Sequence, residues 1–167
     1  MDREAIVARE SRGPVQSVDW AALIRRWTQD YSFTRSNRTR TYLEPRSLTA
    51  LRSKIGSAAR RIAVTGSLAA TELAQSIAPP RLATVYVDSV LDAASELQLR
   101  EVETGGNVVV AEPFDEVVFD RTWTRDGVTF CSASQVAADL LTGPGRAPAE
   151  GEALIEWMKA NEDAWRS

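Results

Sequence analysis

The sequence predicts an α/β protein of the α+β kind, a mixed β-sheet flanked by helices with a β-hairpin at its start. Three observations predict it. Strand-like and helix-like segments alternate from about residue 41 to residue 141, the pattern of helices packed on a mixed sheet. Leu82-Ala83-Thr84-Val85-Tyr86-Val87 is nearly apolar throughout and rich in β-branched residues, as a central strand covered on both faces must be. Hydrophobic residues make up 44% of the 167, enough for the packed core of one ordinary domain with a small appendage.

The elements follow in order. Residues 4–18 read as a hairpin: Glu4 to Arg9 as a strand, Ser11-Arg12-Gly13-Pro14 as the turn, Val15 to Val18 as the return. Asp19 caps a helix over about residues 20–31, whose Trp20, Leu23, Ile24, Trp27 and Tyr31 make one apolar stripe. Thr34 to Arg40 reads as a polar, basic loop, and Thr41 to Glu44 as a strand stopped by Pro45. A helix is expected over 47–59, a buried strand at Arg61 to Val64, and a helix from Leu68 to Ile77 before Pro79-Pro80. After the central strand comes a short helix near 89–96. Strands at about 98–103 and 107–112 then join as a hairpin through Thr104-Gly105-Gly106-Asn107. Phe114 to Phe119 fits neither period. Val128-Thr129-Phe130 is a last short strand. Ser132 and Gln135 form a capping box for a helix to Leu141, and an amphipathic helix covers about 148–165. Two domains are expected, the hairpin (1–18) and the sheet domain (19–167).

Composition restricts the chemistry. There is no histidine and a single cysteine, Cys131, so imidazole catalysis and tetrahedral zinc sites are excluded. No cofactor and no metal are expected. No apolar run approaches the roughly 18 residues that span a bilayer. The charged start, Met1-Asp2-Arg3-Glu4, has no signal-like segment, so a cytoplasmic protein without membrane contact is expected. Residues 1–61 hold 13 basic against 6 acidic side chains, a net +7, whereas residues 62–167 hold 7 against 17, a net −10. Either the basic half meets a polyanion or the two halves attract each other. Candidate phosphate contacts are Arg9 and Arg12 on the hairpin and Arg35, Arg38 and Arg40 in the basic segment.

One motif has the form of a chemical site. Val64-Thr65-Gly66-Ser67 ends a strand in a small-residue turn that opens a helix, where backbone N–H groups can hold a phosphate. Many such turns use Gly-Ser for steric reasons alone. The motif, with the apolar strand that follows, resembles the core of the nucleotidyltransferase fold. Active members of that fold carry two acids one residue apart on that strand, which clamp two divalent metals. Here positions 84 and 86 are Thr and Tyr, and positions 86 and 88 are Tyr and Asp, so no register supplies the pair. Gly66, Ser67, Tyr86 and Asp88 therefore read as a vestigial nucleotide site, and the chain is expected to be no enzyme.

A wider resemblance runs from Val18 to the C-terminus. It is carried by Val18-Asp19-Trp20, Trp27, Tyr31-Ser32-Phe33, the stretch from Ala63 to Ala70, Pro79 to Asp88, Gly106 to Val109 with Glu112-Pro113, and Ser134 to Leu141. These segments resemble the C-terminal domain of the AbiEi family, antitoxins and transcriptional regulators of type IV toxin–antitoxin systems. The resemblance implies a winged helix ahead of this region, of which the opening hairpin would be the wing, without its recognition helix. It implies a regulator that binds duplex DNA and opposes a nucleotidyltransferase-type toxin as its cognate partner. Two alternatives stand beside it: a nucleotide-binding or nucleotidyl-transferring enzyme using Gly66-Ser67, and an interaction module with no nucleic-acid role.

Overall fold

The computed structural model describes residues 6–9, 15–74 and 78–166. Strands β1 (Val7–Arg9) and β2 (Val15–Val18) pair antiparallel as a two-stranded sheet of their own. The turn at 11–14, with Arg12, lies outside the described residues. The hairpin is tied to the next helix by the Asp19 N–H donating to Ile6 O at 2.9 Å. Helix α1 (Trp20–Asp30) starts where Asp19 accepts the orphan N–H of Ala22 at 2.9 Å. Its stripe is only partly inward. Ile24 and Tyr31 are buried, Trp20 and Trp27 half-buried, and Leu23 is exposed. Tyr31 sits just past the helix end, in extended backbone.

The basic segment departs from the loop expected of it. Phe33–Ser36 forms a single helical turn, α2, and strand β3 runs Arg38–Leu43. Alternating arginine and threonine hide this strand in the sequence, because its outward side chains are charged and its order comes from pairing with a distant strand. Helix α3 (Leu48–Ser57) is capped by Ser47 and buries Leu51 and Ile55. Strand β4 (Ile62–Thr65) leads directly into α4, which starts at Gly66 rather than Leu68 and is followed to Leu73. Strand β5 (Ala83–Val87) is buried at every position, as its composition predicts. Helix α5 (Val90–Glu96) is capped by Ser89.

The expected hairpin over 98–112 does not form. Strand β6 (Arg100–Glu101) and strand β7 (Val108–Glu112) each pair antiparallel with β3, which lies between them. Their connection instead crosses the end of β3. A Cβ at Gly106 would meet Tyr42 O at 2.8 Å, so only glycine lets the chain pass. Beyond a 3-10 helix (Glu116–Phe119), strands β8 (Trp123–Arg125) and β9 (Val128–Phe130) form a hairpin of which only β9 is legible beforehand. Its turn residues, Asp126 and Gly127, both have positive φ (51° and 78°), as a tight hairpin turn requires. Helix α6 (Ala133–Leu141) opens on Ser132 accepting from Gln135 N. The final helix is split at Asn161 into α7 (Ala147–Ala160) and α8 (Glu162–Trp165).

The large sheet has the order β6-β3-β7-β5-β4-β9-β8. β5–β7 and β4–β9 are its parallel pairs, and the remaining neighbours are antiparallel. Register fixes the faces. Thr65, Ala63, Thr84 and Tyr86 share one side, covered by α4 and α6; Val64, Val85 and Val110 share the other, covered by α3 and α5. Both faces are therefore dry at β4 and β5, and the core is continuous. Among the described residues no helix is long and apolar enough to cross a membrane.

Candidate functional site

The Gly-Ser turn opens on a cavity of about 300 Å³ between the end of β4, the start of β5, β3, α6 and the loop before α7. Gly66 has φ +63°, and a Cβ there would lie 3.2 Å from Thr84 Oγ1. The left-handed backbone and the close approach of β5 both demand glycine. The antiparallel pairing of Thr65 with Thr84 puts the turn beside the start of β5, so Thr84 and then Tyr86 point toward the site. Asp88 does not. It lies beyond the far end of β5, where its carboxylate is held by the Arg61 guanidinium, with Nε at 3.1 Å from Oδ1. The structure thus brings Gly66 and Ser67 to Thr84 and Tyr86 and leaves Asp88 one strand-length away.

A different carboxylate occupies the floor. Asp139 of α6 is 4% exposed and accepts four hydrogen bonds. Tyr31 Oη donates to Oδ1 at 2.6 Å, Tyr86 Oη at 2.9 Å and Gln135 Nε2 at 2.9 Å, while Thr65 Oγ1 donates to Oδ2 at 2.6 Å. Asn37 Nδ2 adds a bond to Tyr31 Oη at 3.2 Å. Burial pushes the Asp139 carboxyl up to about 6, against the pull of Thr65, Tyr31, Tyr86 and Gln135, which all favour the ionised form. Burial, with the charge of Asp139 next, drives both tyrosine hydroxyls well above their usual range, so they stay protonated and donate to Asp139. At the cavity wall Ser67 Oγ donates to the buried Glu150 of α7, whose other oxygen touches Arg146 Nε at 2.6 Å. That oxygen accepts no hydrogen bond. Both carboxylates near the turn are thus engaged by the protein's own side chains, and no group of three or more metal-binding side chains exists among the described residues.

The chain matches, over residues 16–155, the family model described as a transcriptional regulator, the AbiEi antitoxin of type IV toxin–antitoxin systems. It belongs to the AbiEi antitoxin family. No curated protein and no solved structure matches it. The family match takes in everything from α1 to α6, and with it every residue of the Asp139 network.

The arginines read from the sequence fall in different settings in this AbiEi-family chain. Arg9 ends β1, and Arg12 lies outside the described residues. Arg38 and Arg40 share one side of β3 and make only loose pairs, Arg38 with Glu112 at 3.6 Å and Arg40 with Glu101 at 3.4 Å. Arg35 of α2 is exposed and has no acidic partner among the described residues. The rest of the basic half is turned largely on the acidic half: Arg25 pairs with Glu152, Arg52 with Glu72 and Asp126, Arg60 with Asp92 and Glu96, Arg61 with Asp88 and Glu116. Much of the charge asymmetry is internal attraction. Glu112 of β7 sits on the α5 side and accepts the Val90 N–H at 2.9 Å.

Asp139 was not legible as a site residue. Its one signal is an acid enclosed by Val136-Ala137-Ala138 and Leu140-Leu141, with Gln135 one turn earlier on the same helix face. An acid in such a run is either solvated or buried and paired, and the sequence alone does not separate the two.

Proposed function

We propose that this AbiEi-family chain is a non-catalytic antitoxin and transcriptional regulator that contacts duplex DNA and counteracts a nucleotidyltransferase-type toxin in the cytoplasm. The observation that carries the loss of catalysis is the use made of the carboxylates at the Gly66-Ser67 turn. Metal-dependent nucleotidyl transfer needs two ionised acids facing one open site. Here Asp139 is buried under four donors, Glu150 is tied to Ser67 and Arg146, and the strand positions that would supply the pair hold Thr84 and Tyr86. Gly66, Ser67 and Tyr86 are then a remnant whose geometry serves packing, and Asp88 stands apart from it. Residues 19–167 form the degenerate nucleotidyltransferase-like domain, and residues 1–18 a wing-like hairpin.

DNA contact rests on Arg35, Arg38 and Arg40, aided by Arg9 and Arg12. Arg35 has no acidic partner among the described residues, and the two β3 arginines are exposed and loosely held, so a phosphate competes for them at little cost. A salt titration of binding to duplex DNA tests this. The logarithm of the affinity should fall linearly with the logarithm of salt concentration, and the triple variant Arg35→Ala, Arg38→Ala, Arg40→Ala should lose about 0.9 of slope for each phosphate contact removed. Absence of duplex binding at low salt, or an unchanged slope in the triple variant, would contradict the assignment. The cavity beside Gly66 favours a second reading, retention of a nucleotide without its transfer.

A further inference from the structure

Four of the five tryptophans line one groove. Trp20 of α1, Trp123 of β8, Trp157 of α7 and Trp165 of α8 are all half-buried and border an open volume of about 1000 Å³ that shares no lining residue with the Gly-Ser cavity. All four rest on the hydrophobic core, Trp20 edge-on to Trp165 with ring centres 4.9 Å apart and Trp123 stacked on Phe130 at 4.6 Å, while each keeps part of its surface toward the depression. The volume sits at the upper end of what single small ligands occupy, roughly 300–1,000 Å³, and so suits an extended chain.

The groove's chemistry is cationic as well as aromatic. Arg121, Arg125 and Arg166 line it with Glu72; Arg125 pairs with Glu72 at 3.2 Å and Arg166 with Glu162 at 2.7 Å, partly exposed pairs for which a phosphate can compete. The Arg125 guanidinium lies 5.2 Å from the Trp123 ring centre, and that of Arg166 lies 5.9 Å from Trp165. Arg121 is exposed and has no acidic partner among the described residues. Three of the four indole N–H groups are spent. The indole N–H of Trp20 goes to Glu162 at 2.8 Å, that of Trp123 to Cys131 O at 3.0 Å, and that of Trp165 to Met158 O at 2.9 Å. A chain of planar, apolar rings with an anionic backbone would find ring faces and guanidinium groups.

We propose that this groove binds single-stranded nucleic acid, its bases against the tryptophans and its phosphates against Arg121, Arg125 and Arg166. The site is independent of the duplex contact assigned to Arg35, Arg38 and Arg40. Stacking needs unstacked bases, so a duplex is a poor occupant.

The test uses the full chain with a 12-nucleotide oligo(U) RNA, the matching oligo(dT), a duplex of equal length and a proline-rich peptide, read by tryptophan fluorescence. Binding of either single strand should quench the emission, with an affinity that weakens as salt rises. Trp157→Leu should weaken it roughly 5- to 100-fold, the range of one base–aromatic stack. Arg121→Asn, which keeps a residue tolerant of the φ of 52° found there, should weaken single-strand binding and reduce its salt slope. Arg100→Ala, an exposed arginine of β6 outside the groove, should leave it unchanged. The two oligonucleotides separate an RNA site from a DNA site within the same chemistry. No quenching by either single strand, equal binding by the Arg121→Asn and parent chains, or quenching by the peptide alone would overturn the proposal.

Discussion

Replacing Asp139 by alanine is expected to destabilise the fold by about 3 kcal/mol or more, because it strands buried donors that cost roughly 1–3 kcal/mol each when unmet. Tyr31 and Tyr86 recover part of that loss by bonding to each other, since their hydroxyls are already 2.9 Å apart. Gln135 keeps only a long bond of 3.5 Å to Tyr86 Oη. Asp139→Asn should behave in the opposite way. It keeps an oxygen for Tyr31, Tyr86 and Gln135, and turns an amide toward Thr65 Oγ1, which can rotate to accept it. It also removes the buried charge. Burial pushes the folded carboxyl up to about 6 from its ordinary value of 3.8, so between those values the native state holds a proton that the unfolded chain has lost. Stability from this group is present below the unfolded value and is lost as pH rises through about 6. The loss amounts to about 3 kcal/mol at 1.36 kcal/mol per pH unit. Urea unfolding at pH 4.5 and pH 7.5 should show a fall for the parent chain that is smaller in Asp139→Asn. An alanine variant as stable as the parent would show that the network contributes nothing.

Gly106→Ala is the second large effect. The new Cβ would lie 2.3 Å from Thr41 Cγ2 and 2.8 Å from Tyr42 O, and the oxygen belongs to backbone in a paired strand. The next residue fastens the same place. Asn107 N donates to Tyr42 O at 3.0 Å, its side-chain oxygen accepts Glu44 N at 2.8 Å, and its side-chain amide donates to Glu44 O at 3.1 Å. Moving the loop outward breaks these bonds, and keeping it in place compresses the strand. A loss of about 3 kcal/mol is expected, the upper range for overpacking at a site that cannot relax. Thermal unfolding should show it. The adjacent Gly105, whose added Cβ would meet open space but whose φ is +74°, should lose less on the same substitution.

The parts of the fold that were legible are those set by local chemistry. Asp19, Ser47, Ser89 and Ser132 announce helix starts because a short oxygen-bearing side chain satisfies an orphan N–H wherever a helix begins. β5 announces itself because a strand buried on both faces has no room for polar residues. Strand neighbours were not legible. β6 and β7 look like a hairpin across Gly105-Gly106, yet both pair with β3, more than fifty residues earlier. Nothing local encodes that choice. The basic segment hid half of β3 for the same reason. At the site, Gly66 and Tyr86 were found from the turn and the strand, while Asp139 came from a helix whose polarity pattern reads as ordinary amphipathicity. The meaning of Asp88 depended on strand direction: an antiparallel β4–β5 pair sends it away from the turn, which no spacing in the sequence reveals.

We read the Gly66-Ser67 turn as a remnant without transferase chemistry. The most direct measurement incubates the purified chain with Mg²⁺ or Mn²⁺, each labelled nucleoside triphosphate in turn, and a mixed RNA and protein acceptor pool. No transfer of label above the no-protein background is predicted. Transfer that is abolished by Ser67→Ala or Asp139→Asn, in variants that remain folded, would contradict the account.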